Sequence, residues 1–122
     1  MFDHGPQVRD FVHVSDVAAA NMAALHAAVE APSGRWDVFN VCSGEPVSIR
    51  RVADLVAKGS GAGLTPLVTS EYRSGGVRHV VASPKPARTR HGFHAAVLPE
   101  EGLREFATVP LRGSATGVHQ LV

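Results

Sequence analysis

The side chains best equipped for chemistry in this 122-residue chain are arginines and histidines gathered in its second half. No acidic residue lies between Glu71 and Glu100, yet Arg73, Arg78, Lys85, Arg88 and Arg90 all fall there, with His79, His91 and His94. A stretch of one sign can hold a phosphorylated ligand or form a solvated face, and charge alone does not separate the two. The formal net charge of +1 gives no cause to invoke nucleic acid or an acidic membrane surface. An RNA-binding module built on residues 73–94 has only Phe93 as a stacking platform, which is too little for a run of bases.

Other chemistries lose their support one residue at a time. His91-Gly92-Phe93-His94 suggests a metal site, but structural zinc wants four Cys or His ligands and the only cysteine, Cys42, is far upstream. Gly59-Ser60-Gly61-Ala62-Gly63 has the look of a dinucleotide loop. Leu64, however, stands where the third glycine belongs, and the loop follows an expected helix instead of opening one. No Gly-Lys-Ser/Thr phosphate loop and no Gly-x-Ser-x-Gly elbow occurs. Tyr72, the single tyrosine, has Gly76 four places on, so no lysine sits one helical turn away to lower a phenol pKa. No general acid or base emerges.

The elements that must position these residues read as strand, helix, strand and helix in alternation, an α/β pattern. Gln7 to Val14 is expected as a short extended segment, with Ser15 or Asp16 capping an alanine-dense helix over residues 17–30. Ala18, Met22, Leu25 and Val29 share a stripe of that helix, and Pro32-Ser33-Gly34 stops it. Trp36 to Cys42 is nearly continuous in apolar character, as in a parallel strand covered on both sides. Ser48 caps a second amphipathic helix that ends at Lys58-Gly59, with Ile49, Val52, Ala53 and Val56 on one face. Leu67 to Tyr72 and Val80 to Ala82 are expected strands, Pro84 to Gly92 a short helix, and Pro99 to Phe106 a last one. Residues 1–109 make one region, and Gly, Ser and Thr over 110–122 suggest a loose tail. A hydrophobic fraction of 44% with 19% charged residues is globular composition. Charges interrupt every apolar run short of a membrane span, and no basic, apolar leader opens the chain. Together with a lone cysteine, this fits a cytoplasmic location. His13 and His26 are expected as packed, hydrogen-bonded residues, and Asp10 and Asp16 as turn and cap residues.

Gln7-Val8-Arg9-Asp10-Phe11-Val12-His13-Val14-Ser15-Asp16-Val17-Ala18 resembles the Q-x-R-D-F-V-H-V-x-D-V-A signature of extended short-chain dehydrogenases, the sugar-nucleotide epimerases and dehydratases above all. Asn40 to Ile49 is similar to N-V-G-S-G-x-x-x-S-I, with Cys42 in the first glycine place. Arg73-Ser74-Gly75-Gly76-Val77-Arg78-His79 resembles R-x-G-D-V-R-H, and Gly92-Phe93 and Glu101 to Phe106 resemble the closing L-G-F and E-G-L-R-E-F segments. The motifs are colinear from about residue 2 to about residue 112.

The resemblance implies the C-terminal, substrate-binding part of a Rossmann-type enzyme, with one terminal parallel strand of the Rossmann sheet and small mixed α/β elements. It implies that a Rossmann half absent from this chain holds NAD or NADP and the catalytic tyrosine and lysine. The chain alone is then expected to bind no coenzyme and to catalyse nothing. Its partners are a UDP- or dTDP-sugar and that missing half, in an enzyme expected to be a homodimer. Arg9 and Arg73 match the two arginines that grip the diphosphate, and a guanidinium fork suits phosphate oxygens. Phe11 matches a position close to the nucleotide, and Gln7 belongs to the same segment. Gly76 replaces the aspartate of R-x-G-D, which leaves the loop of Arg73 less constrained. A catalytically dead module for nucleotide sugars or for another protein is the alternative.

Overall fold

A computed structural model of the chain describes residues 7–69, 71, 75 and 77–110. The lead-in before Gln7, the tail beyond Pro110, and Ser70, Tyr72, Arg73, Ser74 and Gly76 lie outside the described residues. Three short strands and four helices follow in the order β1 (Val8–Arg9), α1 (Val14–Glu30), β2 (Val47–Ser48), α2 (Ile49–Gly59), β3 (His79–Val80), α3 (Lys85–His91) and α4 (Pro99–Phe106). The strands form one mixed sheet in the order β2-β1-β3. β1 is antiparallel to β2, with Arg9 opposite Val47, and parallel to β3, with Arg9 opposite Val80.

The helix ends obey local chemistry. Ser48 accepts from the Arg51 amide at 3.1 Å and starts α2. Gly92 closes α3 at φ 64°, the left-handed conformation that glycine adopts without strain. Pro99 opens α4, and Glu100 and Glu101 occupy its first turn. α1 departs from expectation. It begins at Val14, capped by His13, whose Nδ1 accepts from the Ser15 amide at 3.3 Å and lies 2.6 Å from the Ser15 hydroxyl. Asp16 is therefore in the first turn, and its carboxylate is free to act elsewhere. Of the expected extended segment, only Val8–Arg9 pairs as a strand. His13 is half-buried and hydrogen-bonded, but His26 is exposed.

α2 and α4 pack closely. A Cβ at Gly59 would lie 2.7 Å from the Arg104 carbonyl oxygen and 2.9 Å from the Ala107 Cβ, so only glycine lets the two backbones approach this far. Leu55 is 1% exposed, and Arg51, Glu100 and Arg104 form an ion-pair chain over the same helix pair. On the other side, Ala20, Ala87 and Phe93 form a small core with Phe39, Val41 and Ala95 against it.

Residues 36–42 run extended but pair with no strand among the described residues. Phe39 and Val41 face the core, whereas Trp36 and Val38 point outward and are 82% and 80% exposed. The stripe of Ala18, Met22, Leu25 and Val29 is likewise exposed, because α1 packs through Asp16 and Ala20 instead. Residues 67–69 also lie outside any strand, and the rest of that expected strand falls partly outside the described residues. No helix among the described residues is long and apolar enough to cross a membrane.

This open apolar surface has a measurable consequence. A face of this kind recruits hydrophobic dyes and other copies of the chain. The isolated chain is expected to bind such a dye and to self-associate with rising concentration, with its single tryptophan, Trp36, accessible to an aqueous quencher. A monomer with no dye binding and a shielded tryptophan, by scattering and fluorescence, would contradict this.

Candidate functional site

β1 carries the candidate site, and two consecutive side chains fasten its neighbours to it. Arg9 reaches over the β3 edge. Its Nη1 donates to Val8 O at 2.8 Å and Arg78 O at 3.0 Å, and its Nη2 donates to Val77 O at 2.5 Å. Those bonds occupy three of the five guanidinium donors. Nε–H, on the guanidinium edge shared with Nη2, makes no hydrogen bond among the described residues. That edge can grip two oxygens of one phosphate side-on.

Asp10 reaches the other way. One carboxylate oxygen accepts from the Ser43 amide and the Ser43 hydroxyl, each at 2.6 Å, and the other accepts from the Gly44 amide at 3.0 Å. Gly44 holds φ 80°, and a Cβ there would sit 3.1 Å from Pro84 Cγ, so glycine is required on both counts. Cys42 precedes this turn, buried. Burial, then the charge of Asp10, push its thiol above the ordinary value, and it donates to Ala82 O at 3.5 Å as a neutral group.

Gln7 is half-buried at the entry to β1, where its carbonyl accepts from the Ile49 amide at 2.8 Å. Phe11 lines an apolar groove of about 390 Å³ between the residues leading into α1 and helix α4, with His13, Leu98, Gly102 and Phe106. Gln7, Arg9 and Phe11 thus lie along one continuous segment. Arg73 lies outside the described residues; Arg9 holds the backbone at Val77, four residues further along the sequence.

Asp16 is a structural brace. It is 4% exposed, and its two oxygens accept from the Ala96 amide at 3.0 Å and the Val97 amide at 3.1 Å. The expectation of Asp10 and Asp16 as turn and cap residues is corrected: His13 caps α1, and both aspartates bond to distant segments. Asp10 joins segments 33 residues apart and Asp16 joins segments 80 and 81 apart. No signal in the sequence alone names those partners. The Gly59–Gly63 loop follows α2 and leads into no helix, so this chain's own residues do not form a dinucleotide cradle there. No group of three metal-ligating side chains occurs among the described residues.

Comparison with known proteins agrees with this layout. A model of the NAD dependent epimerase/dehydratase family matches residues 1–42, which span β1, α1 and the segment up to the Asp10-bound turn. The dTDP-L-rhamnose 4-epimerase of Burkholderia thailandensis is 32% identical over 108 residues, covering 88% of this chain and 28% of the relative. Among solved structures, the UDP-glucose 4-epimerase of Thermotoga maritima with UDP-glucose aligns with a TM-score of 0.71 at 28% identity, over 88% of this chain and 32% of that one. The Thermus thermophilus UDP-glucose 4-epimerase complex with NAD aligns with a TM-score of 0.70 at 30% identity, over 88% and 33%. The chain therefore spans about a third of the length of the relatives it matches. Its fold is that of the matching part of Rossmann-type epimerases, and the α/β architecture expected from the sequence is borne out. The family motif on β1 and this structural likeness agree: residues 1–42 match the NAD dependent epimerase/dehydratase family, and the chain is similar to the corresponding third of sugar-nucleotide epimerases.

Proposed function

We propose that this chain is the region of an NAD(P)-dependent sugar-nucleotide epimerase or dehydratase that closes over the nucleotide diphosphate of a UDP- or dTDP-sugar. The observation that carries this reading is the Arg9 guanidinium, held by the Val77 and Arg78 carbonyls through Nη2 and Nη1 while its Nε–H makes no hydrogen bond among the described residues. Two guanidinium groups, of Arg9 and Arg73, supply the charge and the fork geometry that a diphosphate requires. Phe11 and its groove add apolar surface two residues along the same segment.

The coenzyme belongs to a separate Rossmann half. When bound there, NAD(P) takes up and returns the hydride, and this chain binds and orients the nucleotide while that happens. The unpaired extended residues 36–42 and the open stripe of α1 fit a surface that such a half covers. Backbone groups of an unpaired extended segment favour a neighbouring strand, and exposed apolar side chains favour a cover. The complete enzyme is read as a homodimer.

Titration of the purified chain tests the reading. UDP is expected to bind about tenfold more tightly than UMP, since the second phosphate adds a charge-assisted contact. NAD is expected to give no binding heat, and UDP- and dTDP-sugars no turnover. Equal affinity for UDP and UMP would remove the diphosphate clamp, and turnover by this chain alone would place the chemistry elsewhere than this account does.

A further inference from the structure

We infer that Asp10 is a positioning residue for Arg9, and that it acts by locking its own charge into the Ser43–Gly44 turn; this rests on the nucleotide-binding reading of Arg9. The need for such a residue comes from the size of the sheet. β1 is two residues long, and both strands beside it are equally short, so ladder bonds alone hold it weakly. Arg9 lies opposite Val47 in that ladder, and the turn that delivers Val47 is the one Asp10 grips. The Ser43 hydroxyl closes the turn further by accepting from the Glu45 amide at 3.0 Å. Asp10 therefore fixes the backbone on which Arg9 stands through a closed circuit of Asp10, the 43–45 turn, β2 and Arg9.

The same contacts decide the electrostatics. An aspartate next in sequence to a phosphate-reading arginine is a competing anion for that guanidinium. Here both of its oxygens are filled by two amides and a hydroxyl, in a concave nest of successive backbone N–H groups. Alternation along an extended backbone sends consecutive side chains to opposite sides, and the bonds agree: Arg9 reaches residues 77–78 while Asp10 reaches residues 43–44. Asp10 thus spends both oxygens on the turn, away from the side that Arg9 reaches. Asp10 bonds the turn and not the guanidinium. Its influence passes through Arg9.

A double-mutant cycle on the chain with UDP as the probe separates this role from general support of the fold. Asp10→Asn puts an NH2 group against an amide donor and loosens the turn. It is expected to weaken UDP binding about tenfold, a tenfold change being about 1.4 kcal/mol. In an Arg9→Ala background the same substitution is expected to cause no further loss. Ser43→Ala removes the hydroxyl leg and the acceptor of the Glu45 amide but keeps both amide legs to Asp10, and is expected to give a smaller loss with the same dependence on Arg9. Should Asp10→Asn fail to fold, Ser43→Ala carries the test alone. Undiminished UDP affinity in a folded Asp10→Asn chain, or an equal loss with and without Arg9, overturns the inference while leaving the nucleotide reading intact. No UDP binding by the unmodified chain overturns both.

Discussion

Asp16→Ala is expected to destabilise the chain by about 3 kcal/mol, close to what two hydrogen bonds to a buried charged acceptor supply once some solvent replacement is allowed. The carboxylate is 4% exposed and bridges the first turn of α1 to the Ala96 and Val97 amides. Its place at the N-terminus of α1 adds a favourable interaction with the helix dipole. Removing it leaves the half-buried Val97 amide without a partner, while the amide of exposed Ala96 can turn to water. The segment so released leads directly into α4. Asp16→Asn is the sharper variant, because it keeps the shape and turns one acceptor into a donor facing another donor. It is expected to lose most of the same stability. In dilute solution the urea midpoint should fall with an unchanged slope. The Ala96 and Val97 amides should also exchange about 100-fold faster, 1.4 kcal/mol being a factor of ten. An Asp16→Asn chain within about 0.5 kcal/mol of the original, the range of a neutral surface change, would show that the bridge does not matter.

Where the sequence was informative, the information was local. Ser48, Gly92 and Pro99 mark helix ends through chemistry that each residue carries by itself, and the structure puts α2, α3 and α4 within those marks. The start of α1 was misplaced because a histidine ring took the capping role ahead of two better-known cap residues. Trp36 to Cys42 has the composition of a buried strand, but strand pairing depends on a distant neighbour, and the described residues contain none for it. The stripe through Met22 and Leu25 shows the same limit: amphipathic spacing identifies a face that wants cover but not what covers it. For the site, Arg9 was visible through its motif, while its carbonyl partners at Val77 and Arg78 were not, since 68 and 69 residues separate them from it. The long-range grips of Asp10 and Asp16 were hidden for the same reason.

The diphosphate clamp predicts a graded response to three arginine substitutions, and a UDP titration followed by NMR shifts, which reads weak affinities, measures it directly. In the clamp, loss of either Arg9 or Arg73 removes a guanidinium fork from the phosphates. Arg9→Ala is expected to weaken UDP or dTDP binding by about 1.5–3 kcal/mol, the range for a hydrogen bond to a charged group. Arg73→Ala should act in the same direction but less strongly, because Gly76 replaces the aspartate of the R-x-G-D pattern that this segment resembles. Arg88 belongs to the same basic stretch but lies exposed on α3, and Arg88→Ala should leave UDP affinity unchanged. A diffuse field from the basic segment would instead make all three substitutions alike and sensitive to salt. A large loss for Arg9, a smaller one for Arg73 and none for Arg88 is the result the clamp predicts. Equal losses at Arg9, Arg73 and Arg88 would contradict it.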